Sequence, residues 1–500
     1  MSSPKVALTR APEAISWQSV ADWVEARSGI LAIALCACLA GLSLTIAARR
    51  PFWYDEIITV LIARSPTIKD VLANFHLIYD QTPPLNTLIV RFVCSVLGWT
   101  EIAARLPSTI FLTAGLLLLF HQVRRLTNGL FGLATIGILL VTFLPPYAYE
   151  ARPYALLFFA STLALWFWTS AGDVSAWHSK RNALLFGLSM MLAISAHYYA
   201  VLLILPFAAD ELRSRGLRAF LSGRLLCGVA GIGLAIVVHL PFIRASSQMR
   251  HVRFWALPSF HNLQEAYTTM LLGPIFAFVC VVVLLAWAGG RATRSVGSQT
   301  REERLGWLFL IIPIAGYILG ELITHAFTER YFIPMLAGIG LAAGCFLFRY
   351  YRISPQVPLI VLLITIPLFL ENSASRVLYA STPAISGRTE ISDFIDDMLP
   401  RIRKDKKSFV LVSTNKPNLE ARYYTAYPQM LRTLRSPQIS DVWLASGALE
   451  ARYFSMDDVH QHAREIAFID PRTDLLDQLE KWGFHIYWRM TKPEPIVYAN

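Results

Sequence analysis

The stretch ILAIALCACLAGLSLTIAA, residues 30–48, contains no charged residue and is long enough to cross a membrane as a helix. A helix of about 20 apolar residues spans the hydrocarbon core of a bilayer. Comparable runs recur as far as residue 372, so we predict an α-helical polytopic membrane protein of about eleven transmembrane helices. The predicted spans are residues 30–48, 103–121, 129–147, 154–171, 183–196, 198–210, 224–243, 265–289, 305–324, 331–348 and 356–372.

The composition agrees with a membrane protein and excludes ordinary soluble domains. Of the 500 residues, 55% are hydrophobic and 16% are charged, and the mean hydropathy is +0.47. The net charge of +11 comes from basic residues that stand in short loops between apolar runs. Such placement is typical of membrane orientation and argues against nucleic acid as a partner.

Charged residues become frequent after residue 372, which divides the chain into three parts. We predict a cytoplasmic segment at residues 1–29, a transmembrane domain at 30–372 and a small soluble α/β domain at 373–500. In this tail, strands are predicted at 408–413, 465–470 and 485–488, and helices at 388–403 and 473–483.

Basic clusters decide how the chain threads the membrane, because they favour the cytoplasmic side. With all of them inside, the helix from Pro84 to Gly98 must lie along the outer interface, and residues 183–210 must cross twice with a junction near His197. The first outer loop is then residues 49–102, and the tail is periplasmic. The clusters are His121–Arg125, His178–Arg181, Arg213–Arg218, Arg291–Arg304 and Arg349–Arg352.

The sequence PFWYDE, residues 51–56, places two adjacent carboxylates beside aromatic rings at the membrane surface. One interpretation is an interfacial aromatic belt with two solvated acids. The other is a general base, because apolar surroundings raise the pKa of a carboxyl group toward the value that proton transfer requires.

Further polar residues stand at predicted outer positions. Asp80, just before Pro83 and Pro84, is either a helix cap or a second acid of the site. Glu150 and Arg152 either pair with each other, or Arg152 binds a phosphate.

Arg330, next to Tyr331, either extends to the lipid headgroups or binds the phosphate of a lipid-linked donor. Arg253 lies in a basic outer loop that could bind an anion or lipid headgroups. His197 is read as a structural histidine or as a ligand of the site.

The ordered set Trp53-Tyr54-Asp55-Glu56, Asp80 with the paired prolines, Arg152-Pro-Tyr154, His197-Tyr198 and Arg330-Tyr331 resembles a known family. It is similar to the bacterial relatives of the protein O-mannosyltransferases in the GT-C superfamily. These relatives include the lipid A aminoarabinose and galacturonosyl transferases.

The resemblance implies an inverting glycosyltransferase at the outer face of the inner membrane that takes a sugar from a polyprenyl monophosphate. It implies Asp55 and Glu56 as the catalytic pair, with Asp55 as the base, and Asp80 and Glu150 as supporting acids. It also implies that Arg330, Arg152 and Tyr331 bind the donor phosphate. Further candidate residues of the site are His197, Tyr54 and Arg253.

The resemblance leaves several points open. Some relatives hold a divalent cation such as Mg, Mn or Zn through acids of the outer loops, but this chain offers only Glu150 in the second loop. The acceptor is lipid A, a polysaccharide or a protein. We expect the tail to select the acceptor, so that deletion of residues 376–500 abolishes transfer.

A transporter or flippase of lipid-linked sugars is the alternative function. Carriers keep ionisable residues near the middle of the membrane. Here the predicted spans have few, and the main exceptions, His239 and Glu321, stand near outer ends. The acids gather at the outer surface instead, which favours an enzyme.

Overall fold

A computed structural model describes residues 16–50, 52–76, 80–170, 176–247, 256–287 and 297–381, together with four strands in the tail. The part up to residue 381 is helical. Its α-helices are α1 (Trp17–Arg49), α2 (Tyr54–Ala63), α3 (Ile68–His76), α4 (Leu85–Leu97), α5 (Glu101–Leu126), α6 (Gly129–Leu140), α7 (Tyr154–Thr169), α8 (Ala176–Ala196), α9 (Ile204–Arg215), α10 (Gly223–Ser247), α11 (Phe260–Trp287), α12 (Arg301–Leu308), α13 (Ile311–Leu319), α14 (Pro334–Tyr351) and α15 (Gln356–Ser381).

Helical segments lie at the position of every predicted span. Among the described residues, five helices are long and apolar enough to cross a membrane, namely 17–49, 101–126, 223–247, 301–324 and 356–380. Three shorter apolar helices are α4, α6 and α7. The total of eleven crossings remains a prediction.

Two predicted helix boundaries are confirmed, whereas the interfacial placement of the helix from Pro84 to Gly98 stays a prediction. Helix α4 is flanked by Pro84 at its start and Gly98 at its end, and Gly98 has a positive φ of 89°, which favours glycine. The break between α8 and the following 3-10 helix falls at His197. Its imidazole Nδ1 accepts a hydrogen bond from the Tyr199 amide, and the chain turns there.

Helix α1 begins earlier than the predicted span. It starts at Trp17, where the Ser16 side chain accepts a hydrogen bond from the Ser19 amide. A helix of 33 residues is about 50 Å long, which exceeds the roughly 30 Å of a hydrocarbon core. The predicted N-terminal segment is therefore partly a continuation of the first helix.

Small residues allow helices of the bundle to pack closely. A Cβ atom on Gly231 of α10 would lie 2.0 Å from the Gly187 carbonyl oxygen of α8. A Cβ atom on Gly187 would in turn lie 2.5 Å from the Cys227 carbonyl oxygen. Contact at this distance requires glycine, and membrane helices gain much of their association energy from such packing.

One end of the bundle, which the charge pattern predicts to be cytoplasmic, is held by ion pairs. Arg301 at the start of α12 donates to Asp210 and Glu211 of α9. Trp168 at the end of α7 also donates to Asp210 through its indole nitrogen, at 2.9 Å. Both carboxylates are almost completely buried. These contacts of the two carboxylates hold the ends of α7, α9 and α12 together.

The four strands of the tail form one sheet in the order β1 (Ser408–Val412), β2 (Glu465–Ile469), β4 (Pro495–Ala499) and β3 (His485–Arg489). Strands β1 and β2 are parallel, and the other pairs are antiparallel. The first three strands lie where the sequence predicted them, and β4 was missed.

Strand β4 is as long as the other three strands, but its apolar run follows a proline that weakens the strand signal. The helices predicted at 388–403 and 473–483 lie outside the described residues. The assignment of the tail as an α/β domain therefore stays a prediction.

Candidate active site

The Asp55–Glu56 pair lies in the first turn of α2, immediately after α1. Trp53 precedes the helix, and its amide donates to Glu56 Oε2 at 3.2 Å. Carboxylates in the first turn of a helix are stabilised by the unpaired amides at that end. The two adjacent acids point to different surroundings, because neighbours on a helix do not share a face.

Glu56 is buried and engaged through both oxygens. The Arg105 Nε donates to Oε1 at 2.7 Å, and the Arg105 Nη2 lies 2.6 Å from Oε2. The Ala151 amide also donates to Oε1, at 2.8 Å. Glu56 and Arg105 are both 0% exposed. Within the described residues, Glu56 therefore has the surroundings of a positioning group rather than of a group that meets substrate.

Arg105 was missed by the sequence reasoning. Its Nη1 donates to the carbonyls of Ala47 and Arg50, so it ties the end of α1 to the start of α2. A signal was available, because a charged residue within a predicted span requires a partner.

Asp55 keeps a partly open carboxylate beside Arg330. The Arg330 Nη1 lies 3.4 Å from Asp55 Oδ2, and the side chains are 15% and 22% exposed, respectively. The Arg330 guanidinium also lies 5.5 Å from the centre of the Trp53 ring and 5.8 Å from that of Tyr154. Two predicted site residues from distant parts of the chain thus come together, with two aromatic rings close to the cation.

Arg152 pairs with Asp80, not with Glu150. Its Nη1 lies 2.8 Å from Asp80 Oδ2 and also donates to Thr59 Oγ1 and to the Asp55 carbonyl oxygen. Burial alone would lower the pKa of Arg152, but the carboxylates of Asp80 and Asp55 raise it, so the guanidinium stays charged.

Arg152 therefore fixes the backbone of Asp55. In the described structure its Nη1 is used within the protein, although its Nε is buried without a partner.

Asp80 closes a turn rather than capping α4. Its Oδ1 accepts hydrogen bonds from the Thr82 amide at 2.9 Å and the Thr82 hydroxyl at 2.8 Å. The residue that precedes α4 is Pro84. Asp80 thus links the 80–82 turn to Arg152 and, through it, to the α2 turn that bears Asp55.

Glu150 is half-buried close to this cluster. Burial raises its pKa to about 7; Arg50 opposes this shift, and the charge of Glu56 adds to it. Its neighbours on both sides are fixed, since the Tyr149 hydroxyl accepts from Arg376 and the Ala151 amide donates to Glu56. A carboxyl group that titrates near neutral pH beside Arg330 is suited to proton exchange.

The rings of His197 and Tyr331 pack against each other at an angle of 43° beside the arginines. Their ring centres are 4.5 Å apart. Burial and the charges of Arg152 and Arg330 lower the pKa of His197 to about 3, so its ring is neutral. Since Nδ1 accepts from the Tyr199 amide, the neutral ring carries its proton on Nε2. This arrangement serves a structural role and leaves one N–H donor.

Two predicted candidates cannot be placed. Arg253 lies outside the described residues, and Tyr54 begins α2 with a side chain that is likewise outside the description. In the described part of the chain, no group of three or more His, Cys, Asp or Glu side chains could hold a metal ion. Asp55 and Asp80 instead each face an arginine. These acids do not fit a divalent-cation site.

The described helices form an apolar bundle with acids and arginines gathered beyond its first helix. Comparison with known proteins shows what this architecture resembles. Residues 81–242 match the family model described as dolichyl-phosphate-mannose-protein mannosyltransferase. A search of curated proteins finds no match.

The fold is similar to two crystal structures of ArnT from Cupriavidus metallidurans. The structure bound to undecaprenyl phosphate has a TM-score of 0.57 and 14% sequence identity, with 96% of this chain and 98% of that chain covered. The apo structure has a TM-score of 0.58 with the same identity and coverage. The predicted resemblance to the GT-C superfamily is therefore confirmed, and the chain is a multi-pass membrane protein with this fold.

Proposed function

We propose that this protein is an inverting glycosyltransferase that moves a sugar from a polyprenyl phosphate to an acceptor hydroxyl, with Asp55 as the general base. The observation that carries the proposal is the approach of Arg330 to Asp55, at 3.4 Å, in a partly open position. Asp55 can accept the proton of the acceptor hydroxyl, and Arg330 can bind the phosphate of the donor. Transfer of a sugar from a glycosyl phosphate requires both groups.

The reaction is a single displacement. The acceptor oxygen bonds to the anomeric carbon while the bond from that carbon to the phosphate oxygen breaks, so the configuration inverts. The acceptor proton passes to Asp55, and polyprenyl phosphate leaves with the electron pair of the broken bond. Arg330 stabilises the negative charge that develops on the leaving phosphate.

Arg330 also links donor binding to the base. Without donor, its charge faces the Asp55 carboxylate. A donor phosphate competes for the same guanidinium, which would leave the Asp55 carboxylate available to accept a hydrogen bond from the acceptor hydroxyl. The Tyr154 and Trp53 rings keep the cation in place during this exchange.

Two other acids of the cluster, Glu56 and Asp80, act by positioning. Glu56 with Arg105 fixes the turn between α1 and α2, and Asp80 with Arg152 fixes the Asp55 backbone. Glu150 is the supporting acid that can take the proton onward, since its pKa of about 7 matches this task.

We place the active site and the tail on the periplasmic side of the inner membrane, because the basic clusters favour the opposite side. The acceptor is lipid A, a polysaccharide or a protein. Transport of lipid-linked sugars is the less supported function. The acids gather around one turn at the end of α1, whereas carriers line a path through the membrane.

The test is mass spectrometry of membrane lipids from cells that carry the native chain, Asp55→Asn or the control Asp70→Asn. Asp70 is an acid of the same loop whose carboxylate bonds to Thr67. Asp55→Asn should accumulate one polyprenyl-phosphate sugar, and one glycan should lose that sugar, while the control matches the native chain. Unchanged lipids at equal protein levels would reject Asp55 as the base and favour transport.

A further inference from the structure

A short segment before α7, residues 149–152, contacts both acids of the α2 turn. The Ala151 amide donates to Glu56 Oε1 at 2.8 Å. The Arg152 Nη1 donates to the Asp55 carbonyl oxygen at 3.2 Å. A displacement of the 149–152 segment would therefore disturb the surroundings of both acids at once.

Side chains from other helices hold the 149–152 segment, because residues 150–152 form bends between a 3-10 helix and α7 rather than helical turns. At one end, the Ser108 hydroxyl of α5 donates to the Arg152 carbonyl oxygen at 3.3 Å. At the other end, the Arg376 Nη1 of α15 donates to the Tyr149 hydroxyl at 3.0 Å. Tyr149 and Arg376 are 227 residues apart in sequence. The last helix of the bundle thus holds one end of this segment.

The last turns of α15 also pack against the end of α1. A small apolar cluster is formed there by Ile46, Ala47, Tyr149 and Ala380. Val377 of α15 packs against this cluster. The Ala47 carbonyl oxygen accepts a hydrogen bond from Arg105, the buried partner of Glu56. The end of α15 therefore contacts the two parts of the chain between which the Asp55–Glu56 turn is held.

We propose that Arg376 is a positioning residue for the transfer reaction and that it acts through Tyr149. Its hydrogen bond holds the start of the 149–152 segment, so that Glu150 and the Ala151 amide stay in place at the site. This inference rests on the proposed function, but not on the identity of the sugar or of the acceptor. It makes α15, the helix from which the chain continues into the tail, a part of the active-site framework.

The first test is hydrogen exchange of the full-length protein in detergent, read by mass spectrometry of peptides that contain residues 149–152. Arg376→Gln should raise the exchange rate of this segment about ten-fold, because the segment opens more often without the hydrogen bond. Arg376→Lys should stay closer to the native chain, since an ammonium group can still donate to Tyr149. Glu371→Gln, an exposed charge change on the same helix, should exchange as the native chain does.

The second test is transfer from a labelled polyprenyl-phosphate sugar by purified protein. Arg376→Gln should lower kcat about ten-fold and leave the donor KM within about two-fold, because Arg330 is unchanged. Tyr149→Phe should show the same loss. The double variant should lose no more than either single variant, since both changes remove one hydrogen bond. Tyr379→Phe removes a hydroxyl from a half-exposed side chain of α15 and should match the native chain.

Three outcomes would overturn the proposal. They are native exchange in Arg376→Gln, a native kcat in both single variants, and additive losses of kcat in the double variant. A native chain that transfers no sugar would instead reject the proposed function, and with it any role of Arg376 in transfer. The exchange measurement, which needs no substrate, distinguishes that failure from the absence of a contact between α15 and the 149–152 segment.

Discussion

Arg105 holds both carboxylate oxygens of Glu56 in a buried ion pair, with nitrogen–oxygen distances of 2.7 and 2.6 Å. The pair joins α5 to the first turn of α2 across 49 residues of sequence. Because the same arginine also bonds to the Ala47 and Arg50 carbonyls, it determines where Asp55 stands relative to the end of α1.

Glu56→Gln should destabilise the protein strongly. Removing one partner leaves the Arg105 charge buried without compensation, which typically costs about 3–5 kcal/mol. The midpoint of thermal unfolding in detergent should fall clearly. The control is Arg215→Ala, because the Arg215 side chain is 55% exposed and its partner Glu211 keeps Arg301; this change should cost less than about 1 kcal/mol. If both variants unfolded at the native temperature, the pair would not anchor the turn.

Arg330→Gln should lower kcat/KM for the polyprenyl-phosphate donor by about 100-fold, the usual effect of losing one group that stabilises developing charge. Arg330→Lys should recover part of this loss, since it keeps the charge but not the planar fork. The measurement is transfer from a radiolabelled polyprenyl-phosphate sugar by purified protein. Arg27→Gln, an exposed arginine near the N-terminal end of α1, is the control. An unchanged donor KM and kcat in Arg330→Gln would remove Arg330 from the phosphate site.

Glu150 should make the stability of the protein depend on pH. The folded protein binds this proton more tightly than the unfolded chain, because the pKa rises from 4.5 to about 7. The free energy of unfolding therefore falls as pH rises between these values and is constant above them.

Glu150→Gln should accordingly match the native chain in thermal unfolding near pH 4.5 and exceed it at pH 8. Glu265→Gln, an exposed acid on α11, should follow the native chain at both pH values. Identical pH profiles of the native chain and Glu150→Gln would show that Glu150 is not perturbed in the folded protein.

The tail should select the acceptor without binding the donor. A chain that ends at Ser381 retains α15 and every described residue of the helical part. It should bind polyprenyl phosphate as the full chain does but should fail to transfer sugar. Binding is measured by native mass spectrometry, and transfer by labelled donor. Full transfer by the shortened chain would assign acceptor choice to the membrane part.

Several features of the site were predicted from sequence, because each is local. The acids at 55 and 56 follow the first apolar run directly, and the junction at His197 follows from the charge on both sides of residues 183–210. Arg330 was singled out from its position at the start of a span. Its approach to Asp55 could not be derived from the residues, because the two are separated by more than half of the chain.

The choice of ion-pair partners illustrates what sequence could not supply. Glu150 and Arg152 are two residues apart and looked like a pair, yet Arg152 turns to Asp80 and Glu150 stays near Arg50 and Arg330. For long side chains, proximity in sequence does not determine the ion-pair partner when several opposite charges lie within reach in space. Arg105 was overlooked for the same reason, since its partner comes from another helix.

The sequence alone determined that this is a membrane protein of many apolar helices, and it singled out the acids that follow the first of them. Those properties depend on the free-energy cost of placing charge in hydrocarbon. This cost acts on each segment of the chain separately. The tertiary structure decided which acid is buried and which stays open. Glu56 is enclosed by Arg105 from α5, whereas Asp55, one residue earlier, faces Arg330 in a partly open position. The difference between two adjacent carboxylates arises only when helices distant in sequence pack around them.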